Sequence, residues 1–278
     1  MKYIDSVKGS FISLFLLTPL VIFVKGTGSI PIVEMILTIS SFLFAIFAGF
    51  FISRLNSRYS EIREYISEED AYFLSLFQIS QVYGKKFVDK ITNLIEEYYI
   101  TAFENKIEDY YKQTAKPIQK IYDELYKMKE KSGESIYANM FSILLSLELV
   151  RNKNSVVGKE KIAVSQWLVM IGLSIIIFMC LMYLNTNEPL FQFLIIFLGA
   201  VLVLILLTLR DLQNLRLGGK IMPVLESGEE VLESIGKPRY YNTDLLKESN
   251  IKIPKDIKKY RLASHKPDGQ TKIKIINK

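Results

Sequence analysis

The sequence predicts an all-α membrane protein with four transmembrane helices and a helical cytoplasmic insert between the second and third. Three observations carry this expectation. Half of the 278 residues are hydrophobic, and they are gathered into blocks rather than spread through amphipathic elements. Two pairs of blocks flank a charged, helix-periodic region over residues 54–161. Lysine and arginine collect on the same side of all four blocks.

The first block runs from about Phe11 to Val24, with Lys2 and Lys8 before it, Lys25 after it and Pro19 inside it. A basic start and a short apolar stretch also describe a signal peptide, but no small-residue cleavage site follows and a second apolar block comes at once. That block, roughly Ile30 to Ser53, is long enough to cross about 30 Å of hydrocarbon. The first two spans therefore occupy residues 1–53. The last two occupy residues 162–209, as Ile162–Leu184 and Leu190–Leu209, neither carrying a charge. Asn185-Thr-Asn-Glu-Pro189 forms a tight turn between them, with proline at a permitted helix start.

Orientation follows from the basic residues. Lys25 is the only one between the first two spans, and the 185–189 turn has none. Arg54, Arg58 and Arg63 follow the second span, Arg151, Lys153, Lys159 and Lys161 precede the third, and Arg210, Arg216 and Lys220 follow the fourth. The positive-inside rule places both termini and residues 54–161 in the cytoplasm of a multi-pass plasma-membrane protein.

Within the insert, Tyr59, Ile62, Ile66, Phe73, Leu76 and Phe77 continue the second span as a long amphipathic helix until Gly84. A second helix is expected over Lys85–Gln113, a third from Pro117 to Ser132-Gly133, and a fourth from Glu134. Gly218-Gly219 should stop the fourth span. A short helix around Leu225–Ile235 lies in a C-terminal helical segment, residues 210–246. Residues 247–278 hold ten Lys/Arg against three Asp/Glu, which is the source of the net charge of +6. Ile251–Ile253 and Ile273–Ile276 have strand character, but the composition of this tail predicts disorder. A basic tail on a membrane protein suits an anionic lipid surface before it suits nucleic acid.

Catalytic chemistry finds little support. Cys180 and His265 are single, so no intramolecular disulfide forms and soft ligands are too few for zinc. Gly218-Gly219-Lys220 lacks the spacing of a phosphate loop, and no nucleophile elbow or metalloprotease helix is present. No enzyme activity, cofactor or metal site is expected. Glu68, Glu69 and Asp70 read as a solvated polar face, with a cation site gathered from several subunits as the alternative. The tyrosines at 98, 99, 110, 111, 122 and 126 read as packing and surface residues of a helical bundle. No basic nucleic-acid face interleaves them.

The second span is the informative one. Ser41, Ala45, Gly49 and Ser53 repeat every four residues and make a small-residue stripe on which another helix can pack closely. Leu43, Phe47 and Phe50 or Phe51 lie opposite, facing either lipid and core or a hydrophobic constriction. The third and fourth spans carry no charge, and Glu34 is the sole acid near the outer end of the second, which disfavours a proton-relay transporter.

Where this span ends, Arg54, Asn56, Arg58-Tyr59, Glu61 and Arg63 are followed by Glu68-Glu69-Asp70-Ala71. This pattern resembles the signature of bestrophin-type proteins, and is closer still to a bestrophin-like bacterial membrane family of unknown function. The resemblance covers most of residues 30–210. It lacks the tryptophan pair of true bestrophins and their acidic calcium clasp, so calcium gating is not implied. The resemblance implies a bestrophin-like fold and an oligomeric, pentameric ion channel. The second span would line its pore, Arg54, Asn56, Arg58, Tyr59, Glu61, Arg63, Glu68 and Glu69 would sit at the cytoplasmic mouth, and the Arg54 and Arg58 charges there would favour anions, with Glu61 and Glu64 nearby acting against them. Its partners would be the lipid bilayer, copies of itself and small inorganic ions. The alternative is a membrane-anchored interaction or signalling protein acting through its cytoplasmic helices.

Overall fold

The computed structural model describes residues 3–128, 134–217, 220–222, 224–249, 251–265 and 271–277. Its helices, in chain order, are α1 (Ser6–Phe23), α2 (Pro31–Ser80), α3 (Lys85–Glu104), α4 (Tyr110–Gln113), α5 (Ala115–Tyr126), α6 (Glu134–Gly158), α7 (Val164–Tyr183), α8 (Pro189–Gln213), α9 (Ser227–Ser234) and α10 (Thr243–Glu248). The strands are β1 (Arg216–Leu217), β2 (Lys220–Ile221), β3 (Arg239–Asn242), β4 (Lys259–His265) and β5 (Thr271–Asn277). The chain divides into two compact units. One comprises Met1–Ser57 and Lys161–Met222, the other Arg58–Glu160 and Pro223–Lys278.

Among the described residues, the first unit contains four helices long and apolar enough to cross a membrane: α1, the apolar part of α2, α7 and α8. Their outward residues, such as Phe15, Phe23, Leu168 and Leu190, are exposed, which suits a hydrocarbon solvent and not water. Helices α1 and α8 pack closely. The Ser10 hydroxyl donates to Ala200 O at 2.9 Å. A Cβ added at Gly199 would stand 2.9 Å from Leu17 Cδ1 and 3.0 Å from Phe178 Cε2, so a larger residue where α1, α7 and α8 converge would have to displace those side chains. At one end, buried Asp211 accepts from Ser6 N at 2.9 Å and from the Tyr3 hydroxyl at 2.5 Å. At the other, Asn185 Nδ2 donates to Val21 O at 3.1 Å and Val24 O at 3.3 Å, satisfying the last carbonyls of α1. Pro189 opens α8 as its sequence position suggested.

Along α2 a single buried stripe runs through Phe44, Ala48, Phe51, Leu55, Arg58, Ile62, Ile66, Glu69, Phe73, Leu76 and Ser80. Steps of three and four residues hold it on one side of a 3.6-residue helix. Gly84 ends the run with φ 82°, a backbone state that glycine adopts without strain.

The second unit is a helical core with a small sheet. Phe73 and Leu76 of α2 pack with Ile91, Ile95, Tyr98 and Tyr99 of α3, Ile118 and Ile121 of α5, and Leu144 and Leu147 of α6. Leu232 of α9, Tyr240 of β3 and Ala263 of β4 complete this core. The single helix expected over Lys85–Gln113 is broken instead. Asn105 turns extended and donates its Nδ2 to Thr101 O at 2.8 Å, closing α3 before buried Ile107. The expected stops at Ser132-Gly133 and Gly218-Gly219 lie outside the described residues.

The all-α expectation gives way to a mostly helical fold with two small sheets. The tail is the larger correction. Strand β4 pairs in parallel with β3 and antiparallel with β5, although disorder was expected there. Tyr260 and Ala263 are buried, Arg261 pairs with Glu96, and its Nη2 donates to Pro238 O at 2.8 Å. Apolar positions spaced between lysines thus find a surface to cover, which composition averaged over the tail conceals. Ile273–Ile276 falls within β5. Ile251–Ile253 packs beside Tyr241, Ile257 and Tyr260 without forming a strand.

Candidate functional site

Beside its buried stripe, the apolar part of α2 presents two further faces. Ala45, Gly49 and Ser53 are exposed and Ser41 is half-buried, and a Cβ at Gly49 would meet nothing within 4 Å. Leu43, Phe47 and Phe50 are also exposed, at 39%, 37% and 56%. At 3.6 residues per turn the two exposed rows stand roughly 150° apart around the helix. Phe51 does not join Phe47 and Phe50. It is buried on the third face, stacked on Phe47 with centroids 6.2 Å apart and edge-on to Phe50 at 5.7 Å. The sequence left Phe50 and Phe51 as alternatives because one residue separates them. The structure resolves this, since a step of 100° carries Phe51 into the core.

The basic and acidic motif beyond this span also divides. Arg54, Asn56, Glu61 and Arg63 are exposed, Tyr59 and Glu68 half-buried. Tyr59 carries the Arg63 guanidinium 5.8 Å from its ring centroid. Arg58 is buried. Its Nε donates to Val157 O at 2.9 Å and its Nη2 to Gly158 O at 2.5 Å, so its charge caps the C-terminus of α6. The small-residue row continues beyond the expected stripe through exposed Ser60, Ser67, Ala71 and Ser75, a signal of the same spacing that was legible in the sequence.

Glu69 and Asp70 correct the solvated-face expectation, because both carboxylates point into the second unit. Glu69 Oε1 accepts from the Tyr98 hydroxyl at 2.7 Å and Oε2 from Tyr110 at 3.2 Å. Arg151, equally buried, donates Nε to the Tyr98 hydroxyl at 3.1 Å and Nη2 to Thr114 Oγ1 at 2.7 Å. Its guanidinium reaches Glu148 at 2.9 Å and lies over the Tyr98 and Tyr111 rings. Burial pushes Glu69 up to about 7, an effect opposed by Tyr98, Arg151 and Tyr110 and reinforced by Asp70. One network thus links α2, α3, α4 and α6, with Thr114 at the junction of α4 and α5. Reading these tyrosines as packing and surface residues missed it, since no spacing rule connects Glu69 with Arg151.

The family model of the bestrophin-like domain matches residues 28–213, more than half of the chain. The chain belongs to the bestrophin-like family. Its fold is similar to the crystal structure of a bacterial bestrophin homolog from Klebsiella pneumoniae, with TM-score 0.64 and 13% identity over 83% of this chain and 98% of that one. A mutant of that homolog matches with TM-score 0.65 and 13% identity over 84% and 100%. No curated protein matches the sequence. Bestrophins are ion channels rather than enzymes, so the family and the four apolar helices together make this a bestrophin-like membrane protein.

Proposed function

We propose that the chain is one subunit of an oligomeric, pentameric bestrophin-like channel for small inorganic ions, with α2 lining the pore. The observation that carries this is the three-faced character of the α2 span. A helix in a ring of subunits needs one face for its own subunit, one for its neighbour and one for the lumen. The Phe44/Ala48/Phe51 stripe suits the first role. The small-residue row suits the second, because small side chains let backbones approach where lipid offers no competing dispersion. Leu43, Phe47 and Phe50 suit the third, as an apolar ring that blocks ions by dewetting. In this reading residues 54–161 and both termini are cytoplasmic.

The same row continues down α2 with Arg54, Glu61 and Glu68. With Arg58 turned into the α6 terminus, that surface carries more acid than base and favours cations. The anion preference expected from Arg54 and Arg58 loses half of its basis. Reconstitution in planar bilayers tests both parts. Phe47→Ala should raise single-channel conductance by widening the constriction, and the reversal potential in a salt gradient should take the sign of cation selectivity. Flux at the protein-free background in both wild type and Phe47→Ala, with the oligomer intact, refutes the pore. The anchored interaction protein would then replace it. One observation favours that reading: Leu145, Leu149 and Val156 form an exposed apolar row on α6, opposite its packed face.

A further inference from the structure

Consecutive carboxylates on α2 meet consecutive phenols on α3: Glu69 accepts from Tyr98, and Asp70 Oδ1 accepts from the Tyr99 hydroxyl at 2.5 Å. The two sites differ in charge. Glu69 has Arg151 behind its tyrosine. Burial disfavours the Asp70 carboxylate most, the hydroxyls of Ser227 from α9 and Tyr99 from α3 oppose this, Glu230 from α9 reinforces it, adjacent Glu69 is coupled to it, and none of these is a cation. Its Oδ2 is buried with no hydrogen-bond partner among the described residues. Helix α9 sits on the same phenol. A Cβ added at Gly228 would fall 2.5 Å from Tyr99 Cε1 and 2.7 Å from Cδ1, so the backbone of α9 lies against the ring that holds Asp70. Val231 and Leu232 seat the rest of the helix in the core. The first turn of α9 also buries Glu229. Tyr241 and Arg239 face it from β3, and Glu226 and Glu230 crowd it from its own segment. Arg239 is already committed to Glu233 at 2.6 Å.

We propose that α9 is a proton-responsive latch, seated on α2 and α3 while Asp70 and Glu229 hold protons and loosened when both ionise. The geometry gives the mechanism. Charging either carboxylate in this contact adds an anion beside other carboxylates, with one engaged arginine in reach, and lifting α9 returns both groups to water. Burial pushes Asp70 up to about 6 and Glu229 up to about 8, which places the response around neutral pH. The sign is fixed by linkage. Both groups bind protons more tightly with α9 seated than in water, so seating is strongest at low pH and weakens as pH rises through those values. The inference concerns the second unit alone and stands whether or not α2 lines a pore.

Hydrogen exchange of the full chain in detergent, read by mass spectrometry with labelling times scaled for the intrinsic base-catalysed rate, tests it. Protection of peptides covering Ser227–Ser234 should fall about tenfold or more between about pH 5.5 and about pH 8.5, while peptides of α5 hold theirs. In the Asp70→Asn/Glu229→Gln double variant α9 should stay protected at the higher pH. Each single variant should remove part of the fall, which keeps the proposal refutable if the double variant misfolds. A wild-type α9 whose protection ignores pH overturns the latch. So does a fall that survives in the variants, or one that α5 shares.

Discussion

Replacing Glu69 with glutamine should make the protein more stable at alkaline pH and leave it nearly unchanged at acid pH. Glu69 is fully buried, and its carboxyl rises from the usual 4.5 to about 7, first through lost hydration. That rise corresponds to about 3 kcal/mol as a ceiling. Because the folded value is the higher one, the associated stability is complete below about 4.5 and is lost as pH climbs through about 7. Glutamine keeps the shape and accepts through its single amide oxygen, but it cannot ionise. Thermal unfolding in detergent, followed by far-ultraviolet circular dichroism, reads the effect. At about pH 5 the two proteins should melt within a degree or two of each other. At about pH 8.5 the Glu69→Gln midpoint should be higher by several degrees, and by at most about 6–12 °C for a unit of this size. Arg151 sets the opposing outcome. If its charge outweighs the lost hydration, Glu69 is ionised throughout and the variant melts lower than wild type by the same margin at both pH values. That result would refute the balance inferred here.

Gly49→Leu should fold as a protomer, since nothing lies within 4 Å of the added Cβ. It should nonetheless lose the oligomer in native mass measurement, because the bulk enters the proposed contact between neighbours; an intact oligomer would place that contact elsewhere. Deleting residues 259–278 should lower the unfolding midpoint clearly, since β4 pairs with β3 and buries Tyr260 and Ala263 in the second unit; an unchanged midpoint would mean that this strand adds nothing. Cysteines at Thr186 and Lys116, both exposed, in a background lacking Cys180, test the orientation. Asn187 is avoided because its φ of 65° disfavours most side chains. An impermeant reagent on intact cells should reach position 186 alone, and labelling of position 116 would invert the proposed topology.

Much of the candidate site was legible before any coordinates. The small-residue row and the aromatic row of the second span follow from a four-residue repeat and a three-to-four-residue repeat on one helix, and the structure leaves Ala45, Gly49 and Ser53 of the one and Leu43, Phe47 and Phe50 of the other exposed. Choosing between Phe50 and Phe51 was beyond the sequence, because adjacent residues differ only in which helix face they take. The burial of Arg58 was beyond the sequence for a related reason. An arginine at the end of an apolar span ordinarily meets water and headgroups, whereas here the carbonyls of Val157 and Gly158, a hundred residues away in the chain, offer it better partners. Glu69 and Asp70 followed the same logic. A run of three acids is normally hydrated, and only the phenols of Tyr98, Tyr99 and Tyr110 make burial tolerable for two of them.

Residue order alone pointed to four apolar helices, the proline-started turn between the last two, the long reach of α2 and the family signature. All of these rest on periodicity, length and local backbone preference, which act over a few residues and need no partner. Tertiary structure decided which charges were buried, that the lysine-rich tail contributes two strands, and that α9 rests against Tyr99. Each depends on a surface assembled from segments far apart in the chain. The energy of a buried carboxylate or of a short strand is set by that surface rather than by its neighbours in sequence.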